Sequence, residues 1–158
     1  MNNENTQTAD GKAKFQEATI APMHTCEHIV NRTMVNMFGC GRSISAHIER
    51  KKSKLDYRLP QALTEEEIKR VEDTVNEVIS RHLPVTAEYI PIEEAAKRFD
   101  LSRLPDGASD TVRVVKVGDY DDCLCIGQHV ENTSEIGTFK IISYDYTDGI
   151  FRMRFKLL

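Results

Sequence analysis

The last third of the chain is a series of short segments in which apolar and polar residues alternate. The sharpest is the C-terminal "IFRMRFKLL", where large apolar residues at 151, 153, 155 and 157 alternate with Arg152, Arg154 and Lys156. A period of two indicates a strand with one buried face. Similar patterns in "TVRVVKV", "DCLCI" and "TFKIISYDY" predict three more strands. The fold must therefore be built around a sheet.

Three helices are predicted upstream or between these strands. In residues 23–38 the apolar residues recur with the period of a helix. The sequence "FGCG", which begins at residue 38, supplies glycine for a C-terminal cap. Thr64 and Glu67 predict a capping box at the start of a second helix, whose buried stripe is Ile68, Val71, Val75, Val78 and Ile79. "PIEEAAKRF" predicts a short helix with Pro91 near its start.

Strands mixed with a few helices, without βαβ regularity, predict an α+β fold: an antiparallel β-sheet with helices packed mainly on one face. "SISAHIERKKSKLDYRL" predicts two antiparallel strands, "VTAEYI" another, and "LSRLPDGASD" a loop. We expect residues 1–20 to be a polar lead-in and residues 21–158 to form a single domain.

Composition limits the classes of function. The chain has 158 residues and a net charge of −4, which argues against coating nucleic acid by charge alone. It has no apolar run of about 20 residues and no secretory leader, so we expect a cytoplasmic protein without a membrane role. Outside a secretory context, the four cysteines favour metal or core roles over disulfides.

A first candidate metal pair lies in "MHTCEHIV", where His24 and His28 are four residues apart. On a helix, that spacing places two imidazoles on one face about 6 Å apart, close enough to share an ion. Alone the pair is a modest signal, because histidines at this spacing also occur without a metal.

A second pair, Cys125 and His129 in "LCIGQHV", repeats the spacing about a hundred residues later. Three imidazoles and a thiolate make a tetrahedral nitrogen and sulfur set, which favours Zn²⁺ over Mg²⁺ or Ca²⁺. We therefore predict a zinc site in which the two pairs meet across the fold, with His129 as the ligand expected to be held most loosely. Cys123 is the substitute ligand that we consider.

The segments "HTCEH", "SKLDY" and "CIGQHVENTSEIGTFKI" resemble the editing domain shared by alanyl- and threonyl-tRNA synthetases. The resemblance covers roughly residues 23–158, a length similar to that of short, free-standing alanyl-tRNA editing proteins. It implies the fold of the synthetases' second additional domain. It also implies a hydrolase that acts in trans on the serine ester, or the glycine ester, of mischarged alanine tRNA.

Two departures from the family pattern concern the pocket. Many alanyl relatives have C-G-G-T-H where this chain has the bulkier Ile126 and Gln128. Many members also have a neutral residue where this chain has Glu27, so a carboxylate is expected beside the metal.

For the reaction itself, we assign Thr25 and Gln128 as catalytic, and Thr133, Glu27 and Cys26 as substrate-pocket residues. Polar pocket groups would reject an amino acid that lacks the serine hydroxyl. The alternative for the two threonines and the glutamine is that they cap backbone turns.

A tRNA acceptor end is the predicted partner, and its phosphates require cations. The candidates are Arg50, Lys51, Lys52 and Lys54 in "ERKKSK", and Arg152 and Arg154 on the last strand. The alternative is that both groups are solvated charged surfaces.

Three other interpretations remain open. An inverted zinc protease would use Glu27 as the base between the histidines, with Glu93 or Glu94 as third ligand. The S-ribosylhomocysteine lyase family also uses an H-T-x-E-H helix and a later cysteine. A structural zinc module would bind tRNA or a synthetase without turnover.

Overall fold

The computed structural model describes residues 3–101 and 110–158, with side chains from residue 20 onward. The helices and strands are, in chain order, α1 (Asn3–Phe38), β1 (Ser45–His47), β2 (Ser53–Arg58), α2 (Glu65–Ser80), β3 (Val85–Pro91), α3 (Ile92–Ala96), β4 (Thr111–Val117), β5 (Asp121–Leu124), β6 (Phe139–Thr147) and β7 (Ile150–Leu157). A short 3₁₀ helix, Thr133–Glu135, precedes β6. Most of the predicted loop "LSRLPDGASD" lies outside the described residues.

Helix α1 is longer than predicted. It begins at Asn3 rather than near Met23, and it includes Pro22. It ends at Phe38, where Gly39 takes a positive φ of 64° and donates its N–H to Val35 O, as the glycine signal predicts. The predicted boundary between a lead-in and a domain falls inside this helix, and the division into 1–20 and 21–158 stays a prediction.

A four-stranded antiparallel sheet in the order β1-β2-β7-β6 forms one layer. Its inner face is buried, because the alternating apolar residues of β2 and β7 point the same way: Leu55, Tyr57, Phe151, Met153 and Phe155. The outer face carries the basic residues of β7. This arrangement confirms the alternation predicted for the last strand.

Helix α2 packs against the inner face together with α1. Thr64 and Glu67 form both hydrogen bonds of the capping box, at 3.1 and 2.9 Å. The buried residues are those predicted from the helical period. The Asn76 amide also bonds in both directions to the backbone of Phe139 (2.9 and 2.8 Å), which ties α2 to β6.

Strands β3, β4 and β5 form a separate three-stranded antiparallel sheet. One of its faces buries Ile90, Val112 and Val114 with Ala95 of α3. On the other face, Val117 joins the main core. The α+β class with antiparallel pairing is thus confirmed, with the strands divided between two sheets. In the described part of the chain, no helix is long and apolar enough to cross a membrane.

Candidate metal centre

The structure brings the four predicted ligands together. His24 and His28 project from α1, and Cys125 and His129 belong to the irregular segment that follows β5. One ligand atom from each lies within 4.8 Å of all the others. No other metal-binding group is found among the described residues, and Cys123 is not a member of this one.

The donor set fits a tetrahedral ion. Cys125 Sγ lies 3.5 Å from Nε2 of both His24 and His129. Zinc bonds of about 2.3 Å to sulfur and about 2.0 Å to nitrogen place two tetrahedral ligand atoms about 3.5 Å apart. The two contacts of Cys125 therefore already have the spacing of neighbouring ligands on one zinc ion.

The second nitrogens of the histidine rings face other partners. His24 Nδ1 is bonded to Gln128 O at 3.1 Å, and His129 Nδ1 is bonded to Thr25 Oγ1 at 2.9 Å. Such contacts select which nitrogen of a neutral imidazole carries the proton. In both rings the arrangement leaves Nε2 for the centre of the cluster.

His28 carries the buried side-chain atom that has no hydrogen-bond partner among the described residues, its Nδ1. Asp121 Oδ2 lies 3.5 Å from this nitrogen, an electrostatic contact too poorly formed to count as a hydrogen bond. A metal on Nε2 would fix the proton on Nδ1, facing the carboxylate, as carboxylate–histidine–metal triads do. The orphaned atom is thus consistent with a metal ligand.

The sequence analysis missed Asp121. Its side chain is fully buried and receives hydrogen bonds from Arg32 Nε (3.0 Å) and from both terminal nitrogens of Arg42 (2.8 and 3.2 Å). Burial alone would raise the pKa of this carboxyl group, but contacts with His28 and Arg42 lower it to about 2. A charged carboxylate therefore stands behind His28. Two aspartates directly precede "CLC" in the sequence, but their position along the chain does not show that one of them contacts His28.

The electrostatics of the cluster favour a thiolate. Burial alone would raise the pKa of the Cys125 thiol, but contacts with the three histidines lower it to about 3. Burial would lower the pKa of His28, but Asp121 and Cys125 raise it to about 9. A thiolate is the form that binds metal, and a cation at this position would displace protons from the imidazoles.

Close packing holds the segment that carries Cys125 and His129. A Cβ on Gly127 would lie 2.3 Å from His24 Cε1, so only glycine fits beneath this ring. Arg113 of β4, also missed from sequence, donates from Nη1 to Cys125 O (3.1 Å) and Gly127 O (2.7 Å). The Gln128 side chain is exposed, and its contact with the cluster is through the backbone carbonyl.

The two threonines are fully buried. Thr25 Oγ1 contacts His129 and accepts the N–H of Val130 at 3.2 Å. Thr133 Oγ1 donates to Ile79 O and accepts the N–H of Leu83, both at 2.9 Å. Both hydroxyl groups thus bond to backbone groups, as expected if these threonines cap backbone turns. The catalytic and pocket assignments stay predictions.

Cys26 and Glu27 differ in their surroundings. Cys26 is fully buried in the main core, where burial raises the pKa of its thiol. Glu27 lies at the edge of the cluster with its Oε2 3.7 Å from His24 Nε2 and its side chain 15% exposed. Of the two, only Glu27 presents a polar group toward the predicted pocket.

The predicted tRNA-binding cations lie in two settings. Arg50, Lys51 and Lys52 are exposed in the turn between β1 and β2 and make no ion pair with the described residues, while Lys54 on β2 is half-buried. Arg152 forms a two-pronged ion pair with Asp56 (2.8 and 2.9 Å), which holds the pKa of that carboxyl group below its ordinary value.

Arg154 contacts Asp145 at 3.0 Å and Ser143 at 3.3 Å. The charges of the two β7 arginines are thus partly neutralised within the sheet.

The carboxylates that the protease interpretation requires, Glu93 and Glu94, begin α3 and are not part of the metal group of the described residues. That interpretation therefore has no third carboxylate ligand in the described structure.

Comparison with known proteins points to aminoacyl-tRNA synthetases. Residues 112–152, which include Cys125 and His129, match the family "Threonyl and Alanyl tRNA synthetase second additional domain". The chain is 40% identical to an alanine–tRNA ligase of Fervidobacterium nodosum over 121 residues, 76% of this chain and 14% of the ligase.

It is also 36% identical to an alanine–tRNA ligase of Treponema denticola over 146 residues, 91% of this chain and 24% of the ligase. The chain thus spans between about one seventh and one quarter of the length of these relatives. The comparisons support the resemblance to the editing domain that alanyl- and threonyl-tRNA synthetases share.

Proposed function

We propose that the chain is a free-standing, trans-acting deacylase that hydrolyses the serine ester of mischarged alanine tRNA, with the glycine ester as a second substrate. The observation that carries the proposal is the His24, His28, Cys125 and His129 group. It lies in a chain that is similar over most of its length to alanine–tRNA ligases. We propose Zn²⁺ as the ion, because its ligand preference matches three imidazoles and a thiolate.

When bound, zinc would supply a Lewis acid that polarises the ester carbonyl and lowers the pKa of water. The chain's own residues hold the site in shape. Thr25 orients His129, the Gln128 carbonyl orients His24, and Asp121 faces the outer nitrogen of His28. We therefore propose Thr25 and the Gln128 backbone as positioning groups, since neither presents a free side-chain group at the cluster.

Glu27 is proposed to face the substrate. A carboxylate is an acceptor only, so it favours a substrate that donates a hydrogen bond through an ammonium or a hydroxyl group. The ammonium is common to the serine, glycine and alanine esters, whereas the hydroxyl separates serine from alanine, and a site that bonds it can discriminate between these two by roughly 10⁴-fold.

The acceptor end of tRNA needs cations outside the pocket. We propose the β1–β2 turn, with Arg50, Lys51 and Lys52, as the stronger contact, because these side chains have no described ion pair. Arg152 and Arg154 are proposed as the weaker contact, since each already pairs with an aspartate. A cytoplasmic location follows from this substrate.

The direct test is to incubate the purified protein with mis-serylated and correctly alanylated alanine tRNA, with and without a chelator. We expect serine release from the first substrate alone, and its loss on chelation and in Cys125→Ala. The matched variant Cys123→Ala should stay active. No serine release by metal-loaded protein would refute the proposed activity.

A second candidate is a structural zinc module without turnover. The observation that favours it is the complete set of four protein ligands, which closes a tetrahedral site. This candidate predicts that metal removal unfolds the protein and weakens tRNA binding, while the metal-loaded protein leaves both esters intact.

A further inference from the structure

Three residues form a row across the three-stranded sheet, and the row ends at the metal centre. Tyr89 of β3 is paired with Arg113 of β4. On the other side, the β4–β5 ladder pairs Val114 with Leu124, and Cys125 continues it by donating its N–H to Arg113 O at 3.2 Å. Paired residues of antiparallel strands have side chains on the same face. With strands about 4.8 Å apart, the backbones of Tyr89 and Cys125 are separated by about 10 Å.

Exposed hydrophobic side chains lie at one end of this row and next to the other. Tyr89 is 71% exposed, and Ile126, the neighbour of Cys125, is 93% exposed. They are the two most exposed large hydrophobic residues of the described chain. Single exposed hydrophobic residues are ordinary on a protein surface. Here, however, both flank one polar cluster.

Arg113, which lies between Tyr89 and Cys125 in the row, carries a positive charge. Its described contacts are the backbone carbonyls of Cys125 and Gly127, and it forms no ion pair with a described carboxylate. None of the described carboxylates therefore neutralises this charge, unlike the charges of Arg152 and Arg154, which pair with aspartates. A polyanion that reaches the cluster along this row would meet an aromatic face and a cation in succession.

We propose that Tyr89 and Arg113 form the subsite for the unpaired 3′-terminal nucleotide of an RNA whose ribose carries the ester. The base stacks on the Tyr89 ring, Arg113 faces the sugar and phosphate, and the ester reaches the cluster. Aromatic stacking is the usual way in which proteins hold unpaired bases. The row suits this ligand because the ribose separates the base from the ester. This inference rests on the proposed function for the ester, but its binding test does not.

The first experiment uses the absence of tryptophan from the chain. Tyr89→Trp introduces a single tryptophan at the subsite, which is excited selectively over the remaining tyrosines. Tyr144→Trp, at a 40% exposed tyrosine of β6, is the matched control. The zinc-loaded variants are titrated with a short single-stranded RNA that ends in CCA, and with the same RNA whose last nucleotide lacks its base. We expect saturable quenching in Tyr89→Trp with the complete RNA alone. Equal quenching in both variants, or by both RNAs, would overturn the subsite.

The second experiment measures deacylation of mis-serylated tRNA by Tyr89→Ala and Tyr89→Phe, with metal content and melting temperature as folding controls. Loss of one stacking contact raises KM by about tenfold, and phenylalanine restores it. An unchanged KM in Tyr89→Ala, or no rescue by Tyr89→Phe, contradicts the proposal. The two experiments can fail independently. Quenching without serine release would support the subsite and refute the deacylase activity. Serine release without quenching would support the deacylase activity and refute the subsite.

Discussion

The two halves of the metal centre have the same spacing in sequence and different origins in structure. His24 and His28 are four residues apart on α1, and the regular helix by itself places both rings on one face. Cys125 and His129 are also four apart, but they follow the end of β5 in a segment without regular structure. We refer to these as the helical half and the loop half.

The difference shows where the geometry of each half comes from. The helical half depends on backbone hydrogen bonds within α1 and needs outside help only to orient the rings. The loop half depends on residues distant in sequence: Arg113 binds its carbonyls, His24 packs on Gly127, and Thr25 holds His129. We therefore expect small changes to damage the loop half more than the helical half.

The largest expected effect comes from removing the anionic ligand of the loop half. Cys125→Ala should lose stoichiometric zinc, because the thiolate supplies the negative charge of the cluster. The measurement is metal content after dialysis. Cys123→Ala is the control, because that thiol lies two residues earlier and outside the cluster. Zinc retained by the first variant, or lost from the second, would show that the ligand set is wrong.

The next effect tests how tightly the loop half is packed. Gly127→Ala places a methyl group into the His24 ring, so one of the two must move. We expect zinc affinity, measured by competition with a chromophoric chelator, to fall by about 100-fold, the upper end for loss of a supporting contact. Gly41→Ala is the control, since nothing lies within 4 Å of its Cβ position. Equal affinity in the two variants would mean that the loop half tolerates displacement.

The helical half is tested through its supporting carboxylate. Asp121→Asn removes the charge that faces His28 and weakens the contacts from Arg32 and Arg42. We expect a loss of about tenfold in zinc affinity, smaller than for Gly127→Ala because α1 still presents both histidines. Asp122 pairs with Arg98 at the surface, so the control variant Asp122→Asn should bind zinc normally. A larger loss in Asp121→Asn than in Gly127→Ala would reverse the ranking of the two halves.

The smallest effect concerns the residue that joins the halves. Thr25→Val keeps the shape of the side chain but removes its bonds to His129 and to the Val130 N–H. Because a neutral hydrogen bond contributes about 1 kcal/mol, zinc affinity should fall by about fivefold. Thr25→Ser retains the hydroxyl and should bind nearly as well as the parent. If the two variants are equal, the hydroxyl does not position His129.

Sequence patterns over a few residues correctly predicted the elements that are stabilised by interactions between residues close in sequence. The capping box and buried stripe of α2 are confirmed, because both follow from helical geometry over a few residues. The start of α1 was wrong, because residues before Met23 carry no apolar stripe that would reveal a helix. The two strands predicted from "SISAHIERKKSKLDYRL" are both present, but β1 has only three residues, all exposed, since it lies at the sheet edge.

The candidate site divides in the same way. Its four donor residues were recognisable from two spacings and a family resemblance, because residue type decides which side chains can bind a metal. Asp121 and Arg113 were not, because their roles depend on contacts between separate elements. Arg32 and Asp121, for example, are 89 residues apart in the chain.

The sequence by itself thus determined which side chains can donate to a metal and that two of them share a helix face, since helical periodicity is a local property. The tertiary structure decided that the two pairs meet, which nitrogen of each ring faces the centre, and which carboxylate stands behind His28. Those choices depend on partners brought together by the packing of α1 against the three-stranded sheet, and no spacing within one segment encodes them.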